Sequence, residues 1–327
     1  MLQCTKFNFY ADDTIMFSSA SSLASATKDL QSAFNVVQQN LHGLRLNPIH
    51  FIDKIKMICF TRSNKTSDMD DNQIVTLNNK VIERVATYKY LGFFLEENLS
   101  FKHHIECLTK KLRIKLGFLY RNKCCFSFGA RKKIVQAVLL SVIDYGDILY
   151  MHANSSSLKM LDSVYHAALR FVSNSGFQTH HCKLYEKVGL SSLYTRRMEH
   201  WYMFLYKAIL HDLPPYLCSL MVPKTNSARI TRSSSLIMYN VPRTRTTFGE
   251  SAFKSFAPSS WCKLQEHLKL ESLITLNNYK SRIKDYLTTN WTLTYCQLDW
   301  CFVTFYCVLC LVFSVKFCVF VVFNVKL

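Results

Sequence analysis

Lys6-Phe7-Asn8-Phe9-Tyr10-Ala11-Asp12-Asp13-Thr14-Ile15-Met16-Phe17 is the stretch on which the fold turns. Lys6 to Tyr10 alternates apolar and polar residues, with Phe7 and Phe9 on one face, and Thr14 to Phe17 resumes a strand pattern with Ile15 and Phe17. Two strands this close form a hairpin, and its tip is Ala11-Asp12-Asp13. Paired aspartates on a turn are common by themselves, because Asp favours turns. Here the apolar strands on both sides hold the pair rigidly, and the small Ala11 leaves a ligand room to approach. Phosphoryl transfer needs hard oxygen ligands for Mg2+, with two ions clamping the attacking and leaving oxygens. One turn delivers one or two such carboxylates. The complete site needs another from a neighbouring strand.

Outward from the hairpin, Ser18 to Ser22 offers helix caps, and Leu23, Leu30, Phe34, Val37, Leu41 and Leu44 follow at helical spacing, with Gly43 a plausible stop. The single apolar stripe suits a helix packed on a sheet. Lys54 to Phe60 has strand character, Thr61 to Asn72 is a polar loop, and Gln73–Leu77 and Val81–Val85 flank a tight turn at Asn78-Asn79. Thr87 to Leu95 is a further aromatic-rich strand.

From Ser100 the period becomes helical. Ile105, Leu108, Leu112, Leu116 and Leu119 share a face, and further helices run over about 130–150, 156–172 and 193–210, the last ending at Pro214-Pro215. The change near Ser100 sets a domain boundary. The spans are therefore 1–99 (strands with a packed helix), 100–222 (helical), 223–250 (an exposed Ser-, Thr- and Arg-rich basic linker) and 251–290 (short helices). In the last of these Trp261, Leu264, Leu268 and Tyr279 are the expected core. The segment 301–323 is almost wholly apolar, with Lys316 its only charge, and has the length of a membrane span. A transmembrane helix and a buried or irregular tail both fit it.

The 327 residues carry a formal net charge of +18 and are 49% hydrophobic, enough for real cores and a bias toward a polyanionic partner, nucleic acid first. The 13 cysteines are scattered without a framework, and no secretory signal opens the chain, so reduced thiols inside a cell (nucleus or cytoplasm) are expected.

Tyr10-Ala11-Asp12-Asp13 between strand patterns resembles the catalytic turn of reverse transcriptases. Gly43-Leu44-Arg45-Leu46-Asn47 with Lys54-Ile55-Lys56-Met57 resembles the next palm motif of non-LTR retrotransposon enzymes. Tyr90-Leu91-Gly92-Phe93 with Leu99 to Ile105 resembles their primer grip and the start of the thumb, and Ala130-Arg131-Lys132-Lys133 with Asp144 to Tyr150 resembles the post-palm helices of jockey-like elements. Four signals in order are far more specific than one.

The resemblance implies an α+β fold: a truncated reverse-transcriptase palm of antiparallel strands and packed helix, followed by an all-helical thumb and C-terminal region. It implies RNA-directed DNA polymerisation. Asp12 and Asp13 would be metal ligands for Mg2+, and Tyr10 would lie near the primer end or incoming nucleotide. Lys54 or Lys56 would stand near the triphosphate, although the spacing from Asn47 is stretched by Pro48 to Asp53. Tyr90, Leu91 and Gly92 would support the primer. The expected partners are an RNA template and an RNA–DNA or DNA primer duplex, with no small-molecule cofactor.

The family's other metal-binding Asp lies on an upstream strand that this sequence, opening nine residues before Tyr10, does not include. The expectation is therefore a fragment with an incomplete two-metal site, inactive alone but retaining nucleic-acid binding. Arg113, Lys115, Arg121, Lys123, Arg131, Lys132 and Lys133 supply a thumb-like grip on phosphates, and Arg229, Arg232, Arg243 and Arg245 offer a further contact. The competing reading is a membrane-anchored or structural protein that uses 301–323. His103-His104 with Cys107, and His180-His181-Cys182, lack a second ligand pair at zinc-finger spacing and are assigned to packing. Asp144 and Asp147 are expected as surface or capping groups, and Cys307-Val308-Leu309-Cys310 has redox spacing without a supporting fold.

Overall fold

The computed structural model describes residues 5–10, 13–43, 55–61, 73–76, 79–224, 235–245, 247–294 and 317–324. It is a mixed helix-and-strand, α+β chain. Its contacts divide it into two compact units, Met1–His103 with Phe313–Leu327, and His104–Val312.

The first unit is built on a five-stranded sheet. β1 (Thr5–Tyr10) and β2 (Asp13–Ala20) form the expected hairpin, with Tyr10 paired to Asp13 at its tip and Thr5 to Ser18 at its base. α1 (Leu23–Gly43) follows, and the buried Leu23, Ala26, Leu30, Ala33 and Phe34 lie against the sheet at the period a packed helix requires. β3 (Lys56–Thr61) and the short β4 (Glu83–Arg84) pair in parallel. The fifth strand comes from the far end of the chain. β7 (Phe317–Asn324) sits between β2 and β3, antiparallel to both, so the order is β1-β2-β7-β3-β4.

The described part of 301–323 does not support a transmembrane helix. Residues 301–316 lie outside the described residues, and the remainder is a central strand. Phe317-Cys318-Val319-Phe320-Val321-Val322-Phe323 is rich in β-branched and aromatic residues, and a strand with a partner on either side has a continuous apolar run. Among the described residues, no helix is long and apolar enough to cross a membrane.

A second correction concerns 87–95, expected as one strand. It is a hairpin of β5 (Thr87–Tyr90) and β6 (Phe93–Glu96) turning at Leu91-Gly92, where φ is +45° and +88°. Two successive positive φ values make the tight turn that matches strand twist. Gly92 takes its value freely, whereas Leu91 holds a conformation that a branched side chain rarely adopts.

The second unit is helical. α2 (Lys102–Arg121, with its last 18 residues here) buries Ile105, Leu108, Leu112, Leu116 and Leu119, the face foreseen from spacing. The single helix expected over 130–150 is α3 (Phe128–Ile134), a π-helical stretch (Val135–Leu140) and the short α4 (Ser141–Ile143), followed by turns. α5 (Ser155–Ser173) ends on a left-handed Asn174. α6 (His181–Val188) ends on Gly189 at φ +63°, and α7 (Leu193–Ile209) follows. α8 (Pro215–Cys218) and α9 (Thr247–Ser251) are short; α10 (Phe253–Leu268) and α11 (Leu276–Thr294) complete the unit.

One aromatic core unites α7, α10 and α11. Trp201, Tyr206, Phe253, Trp261 and Tyr279 are fully buried, and the Tyr206 and Tyr279 rings stack 3.8 Å apart. The stretch 223–250 is not simply an exposed linker. Tyr239 is buried in this core, and the Ile237 carbonyl accepts from the Trp261 indole N–H at 2.7 Å. Too few apolar residues mark this stretch for periodicity to reveal the anchor.

Asp147 is a further correction. Expected at the surface, it is buried and meets His200 Nδ1 at 2.7 Å, while Asp144 pairs with Arg196. Burial of Asp147 leaves its charge in need of a partner. The same hydrogen bond raises the His200 pKa above its ordinary value.

His152 behaves in the opposite way. It is buried, its ring is edge-on to Phe256 at 4.5 Å, and loss of hydration drops its pKa to about 4. A folded-state value below the unfolded one means full stability above about pH 6.5, with progressive loss as pH falls toward 4, because only the unfolded chain takes up the proton. Denaturant midpoints at pH 7 and pH 5 should show His152→Gln losing less stability on acidification than the wild type. The gap should grow by up to ~1.4 kcal/mol per pH unit. Equal losses in the two proteins would contradict a neutral, buried His152.

Candidate functional site

The β1–β2 hairpin places Tyr10 and Asp13 at one end of the sheet, with Tyr10 63% exposed and Asp13 half-buried. Ala11 and Asp12 lie outside the described residues. On the other side of Asp13 the sheet register places Asn324 of β7. Lys56, at the start of β3, pairs with Val322 of β7 and so stands at the same sheet end. The Lys56 ammonium is bonded to Glu83. Lys54 lies outside the described residues.

The β5–β6 hairpin belongs to the same neighbourhood. Burial first, and the negative charge of Asp13 second, push the Tyr88 and Tyr90 hydroxyls above the usual tyrosine range, while Lys56 acts on Tyr88 in the opposite sense. The Tyr90 hydroxyl is buried and meets no hydrogen-bond partner among the described residues. Asp13 therefore acts on both Tyr88 and Tyr90, whereas Lys56 acts on Tyr88 alone. Leu91 and Gly92 form the turn beside Tyr90.

For Mg2+, the described residues offer the Asp13 carboxylate at this sheet end, its charge felt by the buried Tyr90 oxygen, while the Glu83 carboxylate is held by Lys56. That donor set fits one ligand position of a magnesium site. The strand beside β2 adds no carboxylate, since Phe317-Cys318-Val319-Phe320-Val321-Val322-Phe323-Asn324 contains neither Asp nor Glu. Sequence reasoning missed this neighbour entirely, because nothing local in β7 points to a partner some 300 residues away.

The basic residues of the helical unit separate into two kinds. Lys115 donates to the Val138 carbonyl, Arg131 to the carbonyls of Phe126 and Phe171, and Lys132 to that of Gly189. These three are engaged in holding helices. Arg113, Arg121 and Lys133 are exposed, as are Lys110 and Lys111. Sequence reasoning passed over the apolar companions on the same α2 surface: Ile114 is 67% exposed and Phe118 57%. Positions 110, 114, 118 and 121 recur at helical spacing, so two apolar groups are flanked by cations along one face. Arg243 and Arg245 are exposed too, and Arg229 and Arg232 lie outside the described residues.

Comparison with curated proteins supplies the decisive context. The RNA-directed DNA polymerase from mobile element jockey of Drosophila melanogaster is 29% identical over 171 residues, 51% of this chain and 18% of that protein. The protein of the same description from Drosophila funebris is 24% identical over 169 residues, again 51% of the chain and 18% of the relative. The chain is a relative of the jockey-type, non-LTR polymerases. It matches under a fifth of the length of these jockey proteins. No family model matches the chain. No solved structure matches it either.

Proposed function

We propose that the chain is a palm-and-thumb portion of an RNA-directed DNA polymerase, and that this 327-residue polypeptide grips a template–primer duplex without extending it. The observation that carries the reading is Asp13 at the same sheet end as Lys56, with its charge reaching Tyr90, in a relative of jockey polymerases.

In this reading Asp13, with Asp12, provides carboxylates for Mg2+, and Tyr10 lies against the primer end or the incoming nucleotide. Mg2+ in such a site neutralises charge developing on the transferred phosphoryl group. Lys56 offsets negative charge near the triphosphate, with Lys54 as its companion. Tyr90, Leu91 and Gly92 support the primer strand, and the strain at Leu91 keeps that turn stiff. Two ions in line need more carboxylate than one turn supplies, and β7 brings none, which is why no extension is expected.

The grip belongs to the exposed face of α2 and to Lys133. Lys110, Arg113 and Arg121 meet phosphates, while Ile114 and Phe118 contact sugars or bases. Lys115, Arg131 and Lys132 hold the helices that present this face. No membrane partner is part of this reading.

Fluorescence anisotropy of an RNA–DNA duplex tests it. Affinity should fall linearly with salt on logarithmic axes, and joint replacement of Lys110, Arg113 and Arg121 by alanine should flatten that slope by about 2–3. Identical slopes for the two proteins, or no binding at low salt, would sink the assignment. Primer extension with Mg2+ should give no product. Product that disappears in Asp13→Asn would show a working site and overturn the inactivity.

A further inference from the structure

We propose that His180, His181 and Cys182 form a Zn2+ site at the start of α6. Their ligand atoms all lie within 4.8 Å of one another. A tetrahedral zinc with its usual Zn–N and Zn–S bonds spaces its ligands by about 3.3–3.8 Å. Small side-chain rotations therefore bring the three into range. Two imidazoles and a thiol are the borderline-soft donor set that zinc selects over magnesium or calcium.

The local backbone explains why three consecutive residues converge. His180 is the N-cap of α6, in extended conformation at φ −62° and ψ 143°, and the helix begins at His181. The backbone passes from extended to helical at this point, so the three residues gather around the first turn. His180 Nδ1 faces the Cys182 backbone N–H at 3.4 Å, a long contact, so it already points toward the thiol's residue. The His180 and His181 rings lie 4.0 Å apart.

The surroundings hold this group in place. His166 of α5 stacks on His181 at 5.4 Å with 16° between the planes, and its Nε2 is 2.6 Å from the Tyr185 hydroxyl. Arg170 donates to the Thr179 carbonyl at 3.3 Å and lies over the Phe177 ring, pinning the loop that leads into the site. His166 is the nearest additional imidazole. A half-turn away from Tyr185 gives it the fourth coordination position, and water fills that position otherwise. With His166 bound, zinc fastens α5 to α6; with water, it ties only the first turn of α6 to its cap.

The other His- and acid-bearing group among the described residues, Asp144, Asp147 and His200, is a weaker candidate. Asp144 is committed to Arg196, and Asp147 to His200. A cation there would compete with an ion pair already formed.

The test uses the purified full chain, reduced and metal-free, with Co2+ as a spectroscopic substitute for Zn2+. One equivalent should bind tightly and show a thiolate-to-cobalt charge-transfer band that Zn2+ abolishes. Cys182→Ser should remove the band. His181→Ala should weaken binding by more than the roughly 10–100-fold that loss of a mere supporting group costs. His180→Ala, at an exposed position, tests the same site with little risk to folding. Cys107→Ser should leave the spectrum unchanged, which separates this thiol from the other cysteines. A band that survives Cys182→Ser, or equal affinity in wild type and both histidine variants, overturns the site.

Discussion

Val321→Asp abolishes the folded first unit. Val321 is fully buried at the middle of β7, and the register sets it opposite Met16 of β2 and Met57 of β3. All three belong to the core that α1 covers with Leu30 and Phe34. An aspartate there has no cation to pair with in that apolar cluster, and the desolvation of an unpaired polar or charged group runs to several kcal/mol. Losses above about 4–5 kcal/mol are exceptional for single substitutions and are a large share of a domain's stability. Hydrogen exchange of the β2 and β3 amides should therefore rise to the level of an open chain. Native-like protection of those strands in Val321→Asp would show that β7 is dispensable to the sheet.

Trp261→Ala should cost about 3–5 kcal/mol in the helical unit. The indole is fully buried, lies 6.1 Å from the Tyr206 ring and 6.3 Å from that of Tyr279, and meets Tyr239 edge-on. The hydrogen bond it gives to the Ile237 carbonyl is not the main loss, because Gln265 donates to the same oxygen at 3.1 Å. The cavity is. The neighbouring rings cannot collapse into the space, since they are fixed by their own contacts, including the Tyr206 hydroxyl to the Ile274 carbonyl at 2.6 Å. Urea denaturation followed by circular dichroism measures the loss. A cost below about 1.5 kcal/mol would mean that the core is looser than its geometry.

How far these features can be read from sequence depends on how local their cause is. α1 and α2 are visible because Leu23, Leu30 and Phe34, or Ile105, Leu108 and Leu112, repeat at the helical period within a few turns. The β1–β2 hairpin is visible because both strands alternate on either side of one tight connection. The division of 87–95 into two strands turned on Leu91 and Gly92 alone. A leucine at positive φ is a poor turn signal, so the aromatic alternation masked the break.

Long-range causes leave no such trace. Seven apolar residues from Phe317 to Phe323 have the same composition whether their surroundings are lipid or two flanking strands, and only β2 and β3 decide between them. The site shows the same limit. Asp13 is conspicuous as a residue, but strand order, which spacing does not encode, puts Lys56 at its sheet end, and the β5–β6 hairpin brings Tyr90 within reach of its charge. The His180-His181-Cys182 triplet was set aside on spacing because zinc signatures usually pair ligands from distant segments. Its compactness comes from the change from extended to helical backbone at a helix cap.

The insertion of β7 also imposes an order on biosynthesis. β3 ends at Thr61 and its partner begins at Phe317, so about 250 residues must leave the ribosome before the two can pair. At ~5–20 residues per second that interval is on the order of 10–50 s. The helical unit between them is made first and has time to fold by itself. Meanwhile the aspartate hairpin waits with the inner edge of β2 unpaired, an open template for any extended chain nearby. The nascent protein is thus most exposed to misassembly along the edge of β2, the strand that carries Asp13.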